Sequence, residues 1–509
     1  MDAQSSHGED QSRLPMIPPE VMLQISSYLT TSEYGNLRSV CRQIEKSLFQ
    51  PFAREFFTKR QFMLTEFSLE ALVDISKSRL GPSLTSLIIS LERPKGDFHH
   101  RGTNMELDDL DGALKYNRLY EECISHQILI SSGRDVELLT EALRNLPNLQ
   151  TIGLRDFFSP GRWRDGDSGF WHTYGAPTFW EETNAHPEQP RFIRPPHAPL
   201  EVHATYISHT FLAILRSLGN AKETHQAPEL QVILRACYLP PPSFNIPRYL
   251  EPTILPVLQD LKVLFLDLGP VSFSKLTVSN GGRLEGFTYA GLPLARFLSK
   301  MPSLEHLRLN FRDCNISESK DILQWFAQVP QSSSIVSDGQ DIDNVQGRIP
   351  KLSTPAFPRL KKLDIGMVTV GLPLLLSVLK RYKSSLRAIS LHKVTLDSPS
   401  RQVSGKVNLW CKLFSQTTKL GLALDSIHLS FIRQRYNNIS YSVEFKRPDH
   451  GPNIHPFCKG WTGFDLERAS QEFIDSMIIH WPDDEEMEDD EISLESDEDL
   501  GWDDDDDPL

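Results

Sequence analysis

Leu360-Lys-Lys-Leu363-Asp-Ile365 and Leu386-Arg-Ala-Ile389-Ser-Leu391 are two copies, 26 positions apart, of one short phrase, Leu-x-x-Leu-x-Leu. The alternation of its last four positions is that of a strand with one apolar face. The same phrase occurs at Leu84-Thr-Ser-Leu87-Ile-Ile89, Leu149-Gln-Thr-Ile152-Gly-Leu154 and Leu261-Lys-Val-Leu264-Phe-Leu266. It recurs at Leu304-Glu-His-Leu307-Arg-Leu309 and Leu424-Asp-Ser-Ile427-His-Leu429, with a partial copy at Leu230-Gln-Val-Ile233. Amphipathic helical patterns precede several copies: Leu138, Leu139, Ala142 and Leu143 before one, Leu294, Phe297 and Leu298 before another, Leu374, Leu375, Val378 and Leu379 before a third. One helix–strand unit cannot bury its leucine face alone, so neighbouring units stack over a shared core. The pattern therefore predicts an α/β fold, an irregular leucine-rich-repeat-like solenoid over residues 61–480. The starts are far from periodic and the asparagine position of the ordinary repeat is mostly missing, so a plain α/β domain is the other topology open to the same pattern. The leucines are core residues on either reading.

Ahead of this body, residues 13–60 carry a different pattern. Pro18 and Pro19 suit a helix start, where a missing N–H costs nothing, and Glu20 follows where the helix dipole favours an acid. Val21, Ile25 and Leu29 recur at i, i+4 and i+8. Ser32 is the expected N-cap of a second helix with Leu37, Val40, Cys41 and Ile44 on its apolar face, and Phe49, Phe52 and Phe56 mark a third. Three short helices barely make a core, so a partner is expected to complete it.

This pattern resembles the F-box. Ile17-Pro18-Pro19-Glu20-Val21-Met22-Leu23-Gln24-Ile25-Ser26-Ser27-Tyr28-Leu29 is similar to that family's opening helix, and Leu37-Arg38-Ser39-Val40-Cys41-Arg42 to its second signature. The resemblance covers about 45 residues, and residues 49–92 look like the continuation seen in F-box proteins of filamentous fungi. In the family the F-box docks on the adaptor subunit of a cullin–RING ubiquitin ligase. The resemblance thus implies a substrate-recognition subunit, with adaptor contacts at Pro18, Glu20, Val21, Ile25, Leu29 and Val40 and an unknown client protein held by the body.

Net charge is −14, but residues 483–507 carry 17 Asp or Glu and no Lys or Arg, and without that segment the chain stands at +3. The acidity belongs to a tail over 481–509 that cannot bury enough apolar surface to fold. A disordered N-terminus is expected over 1–12. Leucine repeats ahead of an Asp/Glu run also resemble the acidic nuclear phosphoproteins, which leaves open a chaperone for basic clients such as histones. Two insertions interrupt the body. The one near 328–356 is polar and expected to be disordered. The one near 156–204 contains Trp163, Trp171, Tyr174 and Trp180, residue types enriched in binding hot spots. It reads either as a client-binding patch or as a lid folded back over the core.

The N-terminus has no apolar stretch typical of a secretory signal, and no apolar run approaches the ~20 residues that span a bilayer. The six cysteines are scattered. These features lead us to expect reduced thiols, a cytoplasmic or nuclear location, and neither membrane nor nucleic-acid partners. There is no phosphate loop, nucleophile elbow or His-Glu-x-x-His. The nearest metal-like group, Asp449, His450, His455 and Cys458, lacks a recognised ligand spacing, so no enzyme activity, metal or cofactor is expected.

Overall fold

The computed structural model describes residues 14, 17–95, 110–159, 163–166, 171–190, 200–222, 228–269, 291–312, 316–328, 357–397, 406–437, 439–446 and 455–481. The expected disordered N-terminus, nearly all of the 328–356 insertion and the tail from Pro482 lie outside these residues. The chain divides into two compact units, Met1–Ile152 with Phe157–Gln189, and Gly153–Asp156 with Pro190–Leu509. Residues 59–152 and 157–189 group with the N-terminal helices in the first unit.

The first unit begins with α1 (Pro19–Ser26), α2 (Thr31–Ser39) and α3 (Arg42–Phe57). After these come β1 (Lys59–Met63), α4 (Glu66–Lys77), β2 (Ser86–Ser90), α5 (Leu110–Ser132) and α6 (Arg134–Arg144). Strand β3 (Thr151–Arg155) passes from the first unit into the second, and α7 (Ala176–Thr183) returns to the first. β1 pairs in parallel with β2, Lys59 opposite Ser86 through Met63 opposite Ser90. A parallel pair needs a crossover helix, and α4 supplies it. Its Leu69 and Leu72 are buried, as are Leu84, Leu87 and Ile89 of the first leucine phrase.

The second unit carries α8 (Leu200–Asn220), β4 (Glu229–Ile233), α9 (Glu251–Asp260), β5 (Val263–Leu268), α10 (Gly291–Leu298), β6 (His306–Phe311) and α11 (Ile316–Ala327). It continues with β7 (Lys362–Gly366), β8 (Thr369–Gly371), α12 (Leu372–Arg381), β9 (Ala388–His392), β10 (Thr395–Asp397), α13 (Leu409–Lys419) and β11 (Ser426–Ser430). It ends with β12 (Arg433–Tyr436), β13 (Ile439–Phe445), β14 (Cys458–Thr462), α14 (Leu466–Ser476) and β15 (Met477–Ile479). Strands β4, β5, β6, β7, β9 and β11 lie side by side in that order. Each neighbouring pair among them is parallel, and β14 closes the β11 edge antiparallel. The leucine phrases are in register. Leu264, Leu307, Leu363, Ile389 and Ile427 stand opposite one another, and so do Leu266, Leu309, Ile365, Leu391 and Leu429. All ten are buried. Neighbouring helices pack together in sequence, α8 on α9, then α10 to α14 in order.

Part of the opposite face of these strands is polar yet buried, with Asp267, Asn310, Asp364, Ser390, His392 and Ser430 on it. Asn310 Nδ2 donates to Asp267 Oδ1 at 2.7 Å, and the Leu234 N–H donates to Asp267 Oδ2 at 2.7 Å. Gly366, opposite Asn310, makes room for it, since a Cβ there would collide with Asn310 Oδ1. Beyond β7, β9 and β11 the chain makes one corner three times. Met367, Lys393 and Phe431 each take a positive φ of 50–54°. Each is followed by a buried apolar residue (Val368, Val394 or Ile432) and then by the short strand β8, β10 or β12. These three join β13 and β15 in a second sheet, in the order β15-β13-β12-β10-β8. Sequence periodicity does not reveal that sheet, because β8 and β10 have only three residues each.

Candidate functional site

The N-terminal helices start where their residues dictate. Pro18 is the N-cap of α1, Pro19 its first residue, and Glu20 lies in its first turn. The second helix begins earlier than expected, with Thr30 rather than Ser32 as N-cap: Thr30 Oγ1 accepts from the Glu33 N–H, and Glu33 Oε2 accepts from the Thr30 N–H. Glu33 is an acid three residues after Thr30, which completes the reciprocal box, whereas three residues after Ser32 stands Gly35. The expected apolar face of α2 also needs correction. The helix ends at Ser39, and Cys41, with extended φ and ψ, caps α3. Ile44 therefore belongs to α3 and is buried, while Val40 is 62% exposed.

The core of these helices consists of Met22, Tyr34, Ile44, Leu48 and Phe56, with Leu14, Ile17, Leu23, Leu29, Leu37, Phe52 and Phe57 partly buried against it. Phe52 stacks on Phe56 at 4.8 Å between ring centroids, and the Arg38 guanidinium lies 3.3 Å over the Phe52 ring. Trp171 belongs to the same cluster. The core is thus completed partly from within the chain, not left wholly for a partner.

Outside that filled core an apolar surface remains. Val21 (45% exposed) and Ile25 (40%) are one turn apart on one face of α1, and Tyr28 (81%) is exposed in the turn that follows the helix. Pro18 and Glu20 are exposed beside them, and Val40 adds an exposed valine at the α2–α3 corner. Of the six expected contact residues only Leu29 packs against the core.

The insertion aromatics occupy distinct places. Trp163 lies in a single turn of 3-10 helix, Trp163–Asp165. Trp171 packs on Phe56 at 5.8 Å and lies beneath the Arg60 guanidinium at 4.6 Å. Burial lowers the Arg60 pKa to about 10. Tyr174 packs on Phe62 and Phe67, and its backbone bonds to Gln61 and Met63. Trp180 is half-exposed and stacks on His186 at 4.1 Å. Between these aromatics lies a pair that the sequence reading passed over, Arg164 and Asp165. The Arg164 side chain is nearly buried and pairs with Glu55 of α3, its Nη2 at 2.8 Å from Glu55 Oε2. Its Nη1 donates to the carbonyl oxygens of Ser26 and of Leu29, the latter at 3.2 Å. Its guanidinium stands 4.7 Å over the Tyr34 ring. Burial raises the Tyr34 pKa, helped by the Glu55 carboxylate and opposed by Arg164 and Arg38. The Asp165 carboxylate accepts from the Thr31 N–H at 2.9 Å and from its hydroxyl at 2.6 Å. The only local sign of this pair is an Arg and an Asp set among aromatics.

Residues 14–47 match the F-box domain. F-box domains bind the adaptor subunit of cullin–RING ubiquitin ligases, so the domain suggests a substrate-recognition role for the chain. No curated protein matches the chain.

Elsewhere, Asp449 and His450 of the metal-like group lie outside the described residues. The His455 ring packs on Phe431 and Phe457, at 5.0 and 5.5 Å. Among the described residues no cluster of His, Cys, Asp or Glu is arranged to hold a metal ion, and no helix is long and apolar enough to cross a membrane.

Proposed function

We propose that this protein is the substrate-recognition subunit of an SCF-type cullin–RING ubiquitin ligase. On this reading the F-box holds the ligase adaptor and the second unit, a leucine-rich-repeat-like solenoid, holds a client protein. The observation that carries it is the exposure of the apolar side chains Val21, Ile25, Tyr28 and Val40 on and beside α1 and α2, outside the buried cluster of Met22, Tyr34, Ile44, Leu48 and Phe56. Covering such a face releases about 25 cal/mol per Å². The protein itself performs no chemistry. It brings a client lysine beside a charged ubiquitin-conjugating enzyme, which raises the effective concentration of the reactants. This work is done in the cytoplasm, the nucleus or both. Trp180 is the insertion aromatic best suited to client contact, because Trp171 and Tyr174 are engaged in packing.

The test is binding of the purified adaptor subunit to the full chain. Ile25→Asp together with Val40→Asp should abolish it with the fold intact, since both side chains are exposed; Leu29 is a poorer choice because it packs against the core. Undiminished binding by the double variant would overturn the reading. The acidic tail favours a second activity, retention of basic proteins. Removing residues 483–509 separates the two, because adaptor binding persists while capture of a basic protein such as a histone is lost.

A further inference from the structure

The F-box is gripped from outside its own sequence, and this grip bears on the adaptor-facing helix. α1 has eight residues, and Met22 and Ser26 are its buried side chains. Helices shorter than about 12 residues are marginal in water, so α1 depends on what holds its ends. The carbonyl oxygens at its C-terminal end are partly negative, and the N-terminus of α2 leaves N–H groups unsatisfied and partly positive. Two consecutive residues answer both needs. Arg164 donates to the carbonyl of Ser26, the last residue of α1, and to that of Leu29 in the link between the helices, and Asp165 accepts from the Thr31 N–H and hydroxyl at the start of α2. Glu55 of α3 holds the other side of the guanidinium. All three helices are thereby tied to one turn more than 100 positions downstream.

We propose that the Arg164–Asp165 turn is a positioning element for adaptor docking, setting α1 against α2 so that Val21, Ile25, Tyr28 and Val40 form one surface. The inference rests on the adaptor-binding reading above. Arg164 and Asp165 act through the α1–α2 junction, where their hydrogen bonds to Ser26, Leu29 and Thr31 lie.

The experiment uses the full-length chain and the purified adaptor subunit, with Kd measured by calorimetry at a temperature where every variant is folded. Arg164→Ala should weaken binding about tenfold and Asp165→Ala about threefold to fivefold, as expected for loss of charge-assisted hydrogen bonds at a junction that must be ordered to bind. Amide exchange of Ser27, Tyr28 and Leu29 should quicken in both variants before adaptor is added. A purely stabilising role would lower the melting temperature and leave Kd within twofold of wild type, and that result overturns the proposal. If Arg164→Ala fails to fold, the more exposed Asp165→Ala decides by the same criterion. Failure of the wild-type chain to bind the adaptor would instead overturn the functional reading, and the positioning role with it.

Discussion

Thr30 and Glu33 cap the second helix reciprocally, the Thr30 N–H donating to Glu33 Oε2 at 2.9 Å and the Glu33 N–H to Thr30 Oγ1 at 3.3 Å. Losing such a cap costs about 1 kcal/mol. Thr30→Ala should therefore destabilise the N-terminal helices by about that amount, read from faster amide exchange along α2. The Thr30 N–H and then its hydroxyl hold the Glu33 carboxyl below its usual range. A lowered folded pKa gives stability that is present above the ordinary value of 4.5 and lost as pH falls through the folded value. Glu33→Gln keeps an acceptor and removes the charge, so the protection of α2 amides, corrected for intrinsic exchange rates, should change less in that variant between pH 7 and pH values below 4.5.

Asp156 organises the chain just after β4. Its carboxylate accepts from the N–H groups of Arg235, Ala236 and Cys237, each at 2.7 Å. Buried amides left without an acceptor cost about 1–3 kcal/mol each, and an ionised acceptor serves them better than a neutral one. Asp156→Ala should destabilise the second unit by about 3 kcal/mol. Asp156→Asn should cost less, because one amide oxygen still accepts. Urea denaturation checks the order of the three proteins, and exchange at residues 235–237 locates the loss.

His392 makes the second unit sensitive to acid. Burial lowers its pKa to about 3, and nearby Lys393, Arg308 and His428 push in the same direction. Its Nδ1 lies 2.8 Å from Ser430 Oγ. The unfolded chain takes up the proton near 6.5 and the folded one near 3, so this stability is fully present above 6.5 and declines as pH falls towards 3. Within that window the slope approaches 1.4 kcal/mol per pH unit. His392→Gln should flatten the dependence of urea midpoint on pH between 6.5 and 4. An unchanged slope would mean that another group titrates there.

The leucine phrases were legible because they state two facts at once, a strand period and a buried face. Leu307 and Leu309 lie in β6, and Ile389 and Leu391 in β9, as the pattern requires. β1 escaped notice: Lys59-Arg-Gln-Phe-Met has no alternation, since its partner β2 and its crossover helix, not its own side chains, define it. β8 and β10 are too short to carry a period. At the candidate site the exposed α1 face could be read from spacing, but the α2 cap was displaced from Thr30 to Ser32 by two residues, because both are good caps and only Glu33 distinguishes them. The Arg164 contacts with Glu55, Ser26 and Leu29 join residues more than 100 apart, and no local pattern encodes such a pairing.

The shared register of β6, β7 and β9 bears on how such a chain changes length. Lys362 stands opposite both His306 and Ala388, and Leu363 opposite both Leu307 and Ile389. Excising the 26 residues 362–387 would bring Ala388 opposite His306 and Ile389 opposite Leu307 with no strand sliding. Copying them would extend the sheet by one strand in the same alignment. A shift of a single residue would instead turn every leucine of the moved strand to the other face. Descendants of this gene are therefore freer to lose or duplicate a whole helix–strand unit than to gain one residue within a strand.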